Sequence, residues 1–276
     1  MLQVFQLIEI ALPLAYMAIF ALYVRRFVAR KDRGDQRFWG SPLLYGTLGT
    51  HVAYLALRGV ELNHFPVSSK GEFLSLLALA IGLIYALTER RHGEPNTGAF
   101  FVGLSAIAQT WSSLIIDPNT AHPLLHEHPV YGVHVIFILS GFVSLAISAI
   151  YALMYVLLAR QLKSRELGAL FRRLPPLNTL ENMSRLATLA GIVLLGLGLF
   201  SGHFVAIYVL DDFSLLDPKI VITYVAWAAY AVAFIWAKLR KLSGLRMGYL
   251  SLGGYLALIA SMVLVNTFFS SFHTFQ

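Results

Sequence analysis

Twenty-five consecutive residues, from Val135 to Ala159, carry no charge. In helical form about 20 apolar residues cross the hydrocarbon core of a bilayer, so this run is long enough to span one. It begins directly after His134 and ends at Arg160, and three more histidines (His122, His126 and His128) stand in the stretch before it. A helix of this kind needs lipid or a very large apolar core around it. The rest of the chain decides between these.

It decides for lipid. Apolar segments recur at roughly 3–24, 43–60, 71–88, 98–116, 131–159, 186–210, 219–238 and 247–270, each near the length of a membrane-crossing helix. Of the 276 residues 58% are hydrophobic and 13% charged, and the mean hydropathy is +0.69. Soluble domains carry about 25% charged residues. No series of ten-residue alternating segments appears, which argues against a membrane barrel. The expectation is an all-α polytopic integral membrane protein of about eight transmembrane helices. The opening MLQVFQLIEI lacks a basic n-region, so no cleaved signal peptide is expected.

The basic residues set an orientation. Eighteen of the 21 lysines and arginines lie after the first, third, fifth and seventh segments, and only Arg58, Lys70 and Lys219 lie elsewhere. Positive charge is retained in the cytoplasm, so both termini are expected on the extracytoplasmic side of an inner (plasma) membrane. The net charge of +7 is then a topology signal, with lipid rather than nucleic acid as the partner. The basic stretch 160–185 admits two readings, a solvated connector or a surface for the anionic leaflet or a cytoplasmic partner. Pro175 and Pro176 break any helix there, and Asn178 or Thr179 suits the cap of the next.

The chain has no cysteine. That removes disulfides, thiolate metal sites, iron–sulfur clusters and covalent haem attachment, and leaves histidine as the metal ligand. Of nine histidines, His134 sits at the outer mouth of the fifth segment, His203 near the outer end of the sixth, and His273 just past the eighth; His51 is in the middle of the second. Polar groups near hydrocarbon are costly and tend to be functional. Histidines at helix ends also serve as plain interfacial hydrogen-bonders, and those at 122, 126 and 128 read first as ordinary polar loop residues. Gly191, Gly196, Gly198 and Gly202 fit close helix packing, and Glu72 fits a helix N-terminus. No phosphate-binding loop, Ser/His/Asp set or HExxH motif is present.

Four short motifs occur in a telling order. They are His64-Phe65-Pro66-Val67-Ser68 with Glu72-Phe73-Leu74; Val133-His134-Val135; Ser201-Gly202 through Asp217-Pro218-Lys219 with Trp227 and Tyr230 beyond; and Val265-Asn266 with Phe272-His273-Thr274-Phe275. In this the chain resembles the CcsA/ResC cytochrome c assembly family of haem-handling membrane proteins, with their HemX- and YpjD-like relatives, from about residue 50 onward. The tryptophan-rich motif of the assembly proteins is missing, because the matching positions are Val205, Leu210, Ser214 and Leu216. The family's transmembrane histidine corresponds to Ile235. These departures favour the HemX/YpjD-like branch over haem delivery to an apocytochrome.

The resemblance implies a single CcsA-like transmembrane domain over 1–276. It implies one b-type haem held by His134 and His273, in a carrier, holder or electron-transfer subunit without catalytic activity of its own. Two neutral imidazoles can fill both axial positions of such a haem. Arg58 and Lys219 are candidate propionate partners, and His51 with His203 a candidate pair for a second haem. Subunits of a cytochrome assembly or respiratory complex are the expected protein partners. The competing expectation is a HemX-like membrane regulator or scaffold of a haem-biosynthesis or respiratory complex, acting through the basic cytoplasmic loop. A solute transporter finds little support, since few ionisable groups occupy the spans.

Overall fold

The computed structural model of this protein describes residues 2–29, 38–61, 69–92, 96–116, 129–165, 168–209 and 218–268. Eight long helices occupy the eight apolar segments: α1 (Leu2–Val28), α2 (Gly40–Glu61), α3 (Lys70–His92), α4 (Gly98–Ile115), α5 (Pro129–Lys163), α7 (Leu177–Val209), α8 (Pro218–Leu239) and α9 (Leu245–Phe268). A five-residue helix, α6 (Ala169–Arg173), precedes α7. The described residues contain no strand. Seven of the long helices are long and apolar enough to cross a membrane. The exception is α2, which has the length but is diluted by four glycines, two threonines, His51 and Arg58.

Local chemistry fixes the helix ends. Ser69 accepts a hydrogen bond from the Glu72 N–H at 3.1 Å, the N-cap geometry of a Ser-x-x-Glu start. Pro218 opens α8, where its missing N–H costs nothing. α8 closes in a Schellman motif: the Leu242 N–H reaches Ala237 O and the Lys241 N–H reaches Lys238 O, with Lys241 at φ 52°. Leu177 follows Pro175-Pro176 directly, so α7 starts nine residues before the apolar segment that announces it. Asn178 and Thr179 lie within its first turn instead of capping it.

The chain divides into two compact units. The first holds α1 to α4 and the short α6, whose Arg173 donates to Ala29 O at 3.2 Å. Its core is unusually polar: His51, Arg58, Glu72, Ser75, Glu89, Ser105, Gln109 and Ser112 are all buried.

The second unit holds α5, α7, α8 and α9. Antiparallel α5 and α7 are its closest pair, and glycine is the reason. Ile138 faces Gly198, Gly141 faces Leu195 and Leu145 faces Gly191. A Cβ on Gly141 would lie 2.7 Å from Leu195 N, so the backbones touch there. Ser148 continues the seam with hydrogen bonds to Ser184 O (2.9 Å) and Thr188 Oγ1 (2.5 Å). Trp227 and Tyr230 tie α8 in, donating to Ile192 O (2.9 Å) and Ser251 O (3.2 Å).

Candidate functional site

His134 lies near the start of α5, half-buried against the end of α7. Its Nδ1 is 2.6 Å from Gly198 O. A carbonyl only accepts, so Nδ1 carries the ring proton and the lone pair sits on Nε2. Metal-binding histidines are typically held this way, with one nitrogen donating to a carbonyl and the other left as the ligand atom. The chemistry of His134 therefore suits an axial ligand.

Glycine makes the arrangement possible. A Cβ on Gly202 would run into the His134 ring at Cε1 and Nδ1. The imidazole thus occupies the volume that any other residue at 202 would need. Gly198 O also accepts from Ser201 Oγ at 2.9 Å. His134, Gly198, Ser201 and Gly202 form one built site.

α9 ends at the level of this site. Near the opposite end of the unit, Gly248 of α9 packs on Val156 and Tyr155 of α5, and Arg160 donates to Tyr249 at 2.7 Å. From there α9 and α5 run antiparallel, and at about 1.5 Å per residue Phe268 comes level with about residue 136. His273 follows five residues later, outside the described residues, as do Phe269, Phe272 and Phe275. Lys219 belongs to the first turn of α8, at the same end of this unit as His134.

The other sequence candidates have different surroundings. His203, beside Gly202, is half-buried and turned to α8, its ring edge-on to Tyr224 with centroids 6.4 Å apart. His51 is fully buried in the first unit, where both ring nitrogens meet hydroxyls: Nδ1 lies 3.0 Å from Tyr16 Oη and Nε2 2.8 Å from Ser75 Oγ. Arg58 is also buried, and its guanidinium contacts carboxylates, Glu72 at 2.8 Å and Glu9 at 3.2 Å. Tyr54 Oη donates to the same Glu9 oxygen at 2.8 Å. Nothing in the sequence pointed to Glu9 or Tyr16, because their partners lie 49 and 35 residues away. His64, His122, His126 and His128 fall outside the described residues. Among the described residues no three His, Asp or Glu side chains converge as a metal cluster.

A chain whose described residues form helices and no strand, with seven helices fit to cross a bilayer, is a polytopic membrane protein. The family model described as Cytochrome C assembly protein matches residues 38–273. The chain belongs to that family. It is 25% identical over 254 residues to the cytochrome c biogenesis protein CcsA of Prochlorococcus marinus (strain MIT 9303), covering 81% of this chain and 80% of that one. It is 28% identical over 226 residues to the protein HemX of Brevibacillus brevis, covering 79% of each chain. It is 35% identical over 120 residues to the inner membrane protein YpjD of Escherichia coli (strain K12), covering 43% of this chain and 44% of that one. No solved structure matches it. The apolar helices and this kinship make it a multi-pass integral protein of the inner membrane.

Proposed function

We propose that this protein binds one b-type haem in its second unit, with His134 and His273 as the axial ligands, and acts as a haem carrier, holder or electron-transfer subunit. The observation that carries the reading is the Nδ1–H···O=C bond from His134 to Gly198, which fixes the ring tautomer with its lone pair on Nε2, the form in which metal-binding histidines are held. The ends of α5 and α9 support it, since the two helices run antiparallel and Phe268, the last described residue of α9, comes level with the start of α5. A haem with both axial positions filled suits electron transfer or storage better than oxygen chemistry.

The 18 basic residues on alternate connections support an outer-face position for His134, with both termini on that side. Lys219, in the first turn of α8, is the propionate partner at that end. Arg58 already holds Glu9 and Glu72 and His51 is bonded at both nitrogens, so both are assigned here to the interior of the first unit. The test is titration of haem into detergent-purified apo-protein. Saturation at one equivalent, with weakened binding in His134→Ala and His273→Ala, supports the reading; identical titrations in wild type and both variants refute it.

A regulatory reading rests on a different observation. α6 ends in Arg172 and Arg173 and exposes Phe171, a basic and apolar combination that suits a protein partner. In that reading the chain is a membrane regulator or scaffold, and the 160–185 stretch is its working surface. Retention of a partner that depends on Phe171, by protein lacking a Soret band, would favour it over haem carriage.

A further inference from the structure

The first unit holds a column of buried polar groups at three levels. At one end Arg58 meets Glu72 and Glu9, with Tyr54 on Glu9. In the middle His51 lies between Tyr16 and Ser75, and Ser75 donates to Gln109 Oε1 at 3.0 Å. At the other end Glu89 accepts from Tyr23 Oη at 2.6 Å and from Ser41 Oγ, with the Tyr85 ring 5.6 Å from that of Tyr23. Glu9, Tyr16 and Tyr23 are seven residues apart, two turns each, and so share one face of α1. The end levels are about 21 Å apart along α1, inside a hydrocarbon core of about 30 Å.

Residues one turn apart on each helix carry neighbouring levels: Tyr54 and His51 on α2, Glu72 and Ser75 on α3, and Gln109 and Ser105 on α4. Between the middle level and the Glu89 level, Ser105 Oγ is fully buried with no hydrogen-bond partner among the described residues. It shares the ground beside Gly82 with Tyr16 Oη: a Cβ on Gly82 would lie 3.7 Å from the one and 3.6 Å from the other.

Packing alone does not call for these groups. The second unit closes its own seam with Ser148, Ser184, Thr188 and Ser251, which are hydroxyls only. Glutamate, arginine and histidine in the membrane are costly, and where they line up they mark ion or proton pathways.

We propose that this column passes protons between the two ends of the first unit, with His51 as its central relay. Ser75 spends its proton on Gln109, so it accepts from His51 Nε2–H, and Nδ1 accepts from Tyr16. One ring nitrogen receives while the other gives. Each transfer moves one proton and no electrons. Nδ1 takes the Tyr16 proton as Nε2 gives its own to Ser75, and Ser75, its hydroxyl turned from Gln109, gives up its own proton toward the carboxylates of Glu72 and Glu9, which release one to water at that end; Tyr16 regains a proton that Glu89 has first taken up from water at the other end. Rotation of the hydroxyls and tautomer exchange of the imidazole reset the chain.

The test is proton flux into potassium-loaded liposomes containing the full-length protein, driven by valinomycin and read with an entrapped pH dye. Wild type is expected to exceed protein-free liposomes several-fold. His51→Gln, which keeps hydrogen-bonding groups without an imidazole, and Tyr16→Phe are expected to fall to the protein-free rate, while Thr50→Ala, an exposed neighbour, keeps the wild-type rate. Size-exclusion profiles check folding, and Tyr16→Phe decides if His51→Gln does not fold. A wild-type rate equal to that of protein-free liposomes, or wild-type flux in the folded variants, overturns the proposal.

Discussion

His134 donates its Nδ1 hydrogen to the carbonyl of Gly198, 64 residues along the chain and 2.6 Å away. One bond fixes the tautomer of the ring and ties the start of α5 to the end of α7. The carbonyl is within reach because glycines on the facing helix let the backbones close up.

Gly202 is accordingly the most sensitive position near this histidine. Gly202→Ala sets a methyl group into the His134 imidazole, and the ring must turn away from Gly198. Outer partners of metal-binding histidines are worth about 10–100-fold in affinity. Haem affinity should fall by roughly tenfold or more, as measured by titration, with the helical circular dichroism unchanged. Wild-type affinity in this variant would remove Gly202 from the site.

Gly141 tests the seam itself. A Cβ there meets backbone atoms of Leu195, which cannot rotate away. Gly141→Ala should cost about 1–3 kcal/mol, the usual penalty for overpacking. It should lower the detergent melting temperature and weaken haem binding together.

Much of this was legible in the sequence, though unevenly. All eight long helices were legible as apolar segments, and seven of them are long and apolar enough to cross a membrane; α2 was legible by length in spite of its glycines, threonines, His51 and Arg58. The glycine reading of α7 also holds, with Gly191, Gly196, Gly198 and Gly202 packed against Leu145, Trp227, Ile138 and His134. Helix ends were less legible: α7 begins at Leu177 because its first turns are polar and lie outside the apolar run. Long-range partners left no local mark. Arg58 read as a group for an external carboxylate, and its carboxylates turn out to be Glu72 and Glu9. Glu72, read as a helix-terminus residue, is that and an ion-pair partner as well.

Arg58 should prove a stability residue. Removing one member of a buried charge cluster strands the others, at a cost of about 3–5 kcal/mol. Arg58→Met should lower the melting temperature sharply, and Arg58→Met combined with Glu9→Gln and Glu72→Gln should recover part of that loss. A melting temperature unmoved by Arg58→Met would mean that the cluster is solvated.

The hydroxyl seam of the second unit should be worth much less. Hydrogen bonds between transmembrane helices average about 0.6 kcal/mol. Thr188→Val removes the bonds to Ser148 and Ser251 while keeping the shape. Its destabilisation in a folding titration should be near that figure, several times smaller than that of Arg58→Met.

The most direct test of the account is the absorption spectrum of the purified protein, oxidised and reduced, with pyridine haemochrome quantification. The predicted result is a low-spin b-type spectrum at about one haem per chain, lost or turned high-spin in both His134→Ala and His273→Ala. Protein that remains colourless after haem addition, or a spectrum unchanged in both variants, would contradict it.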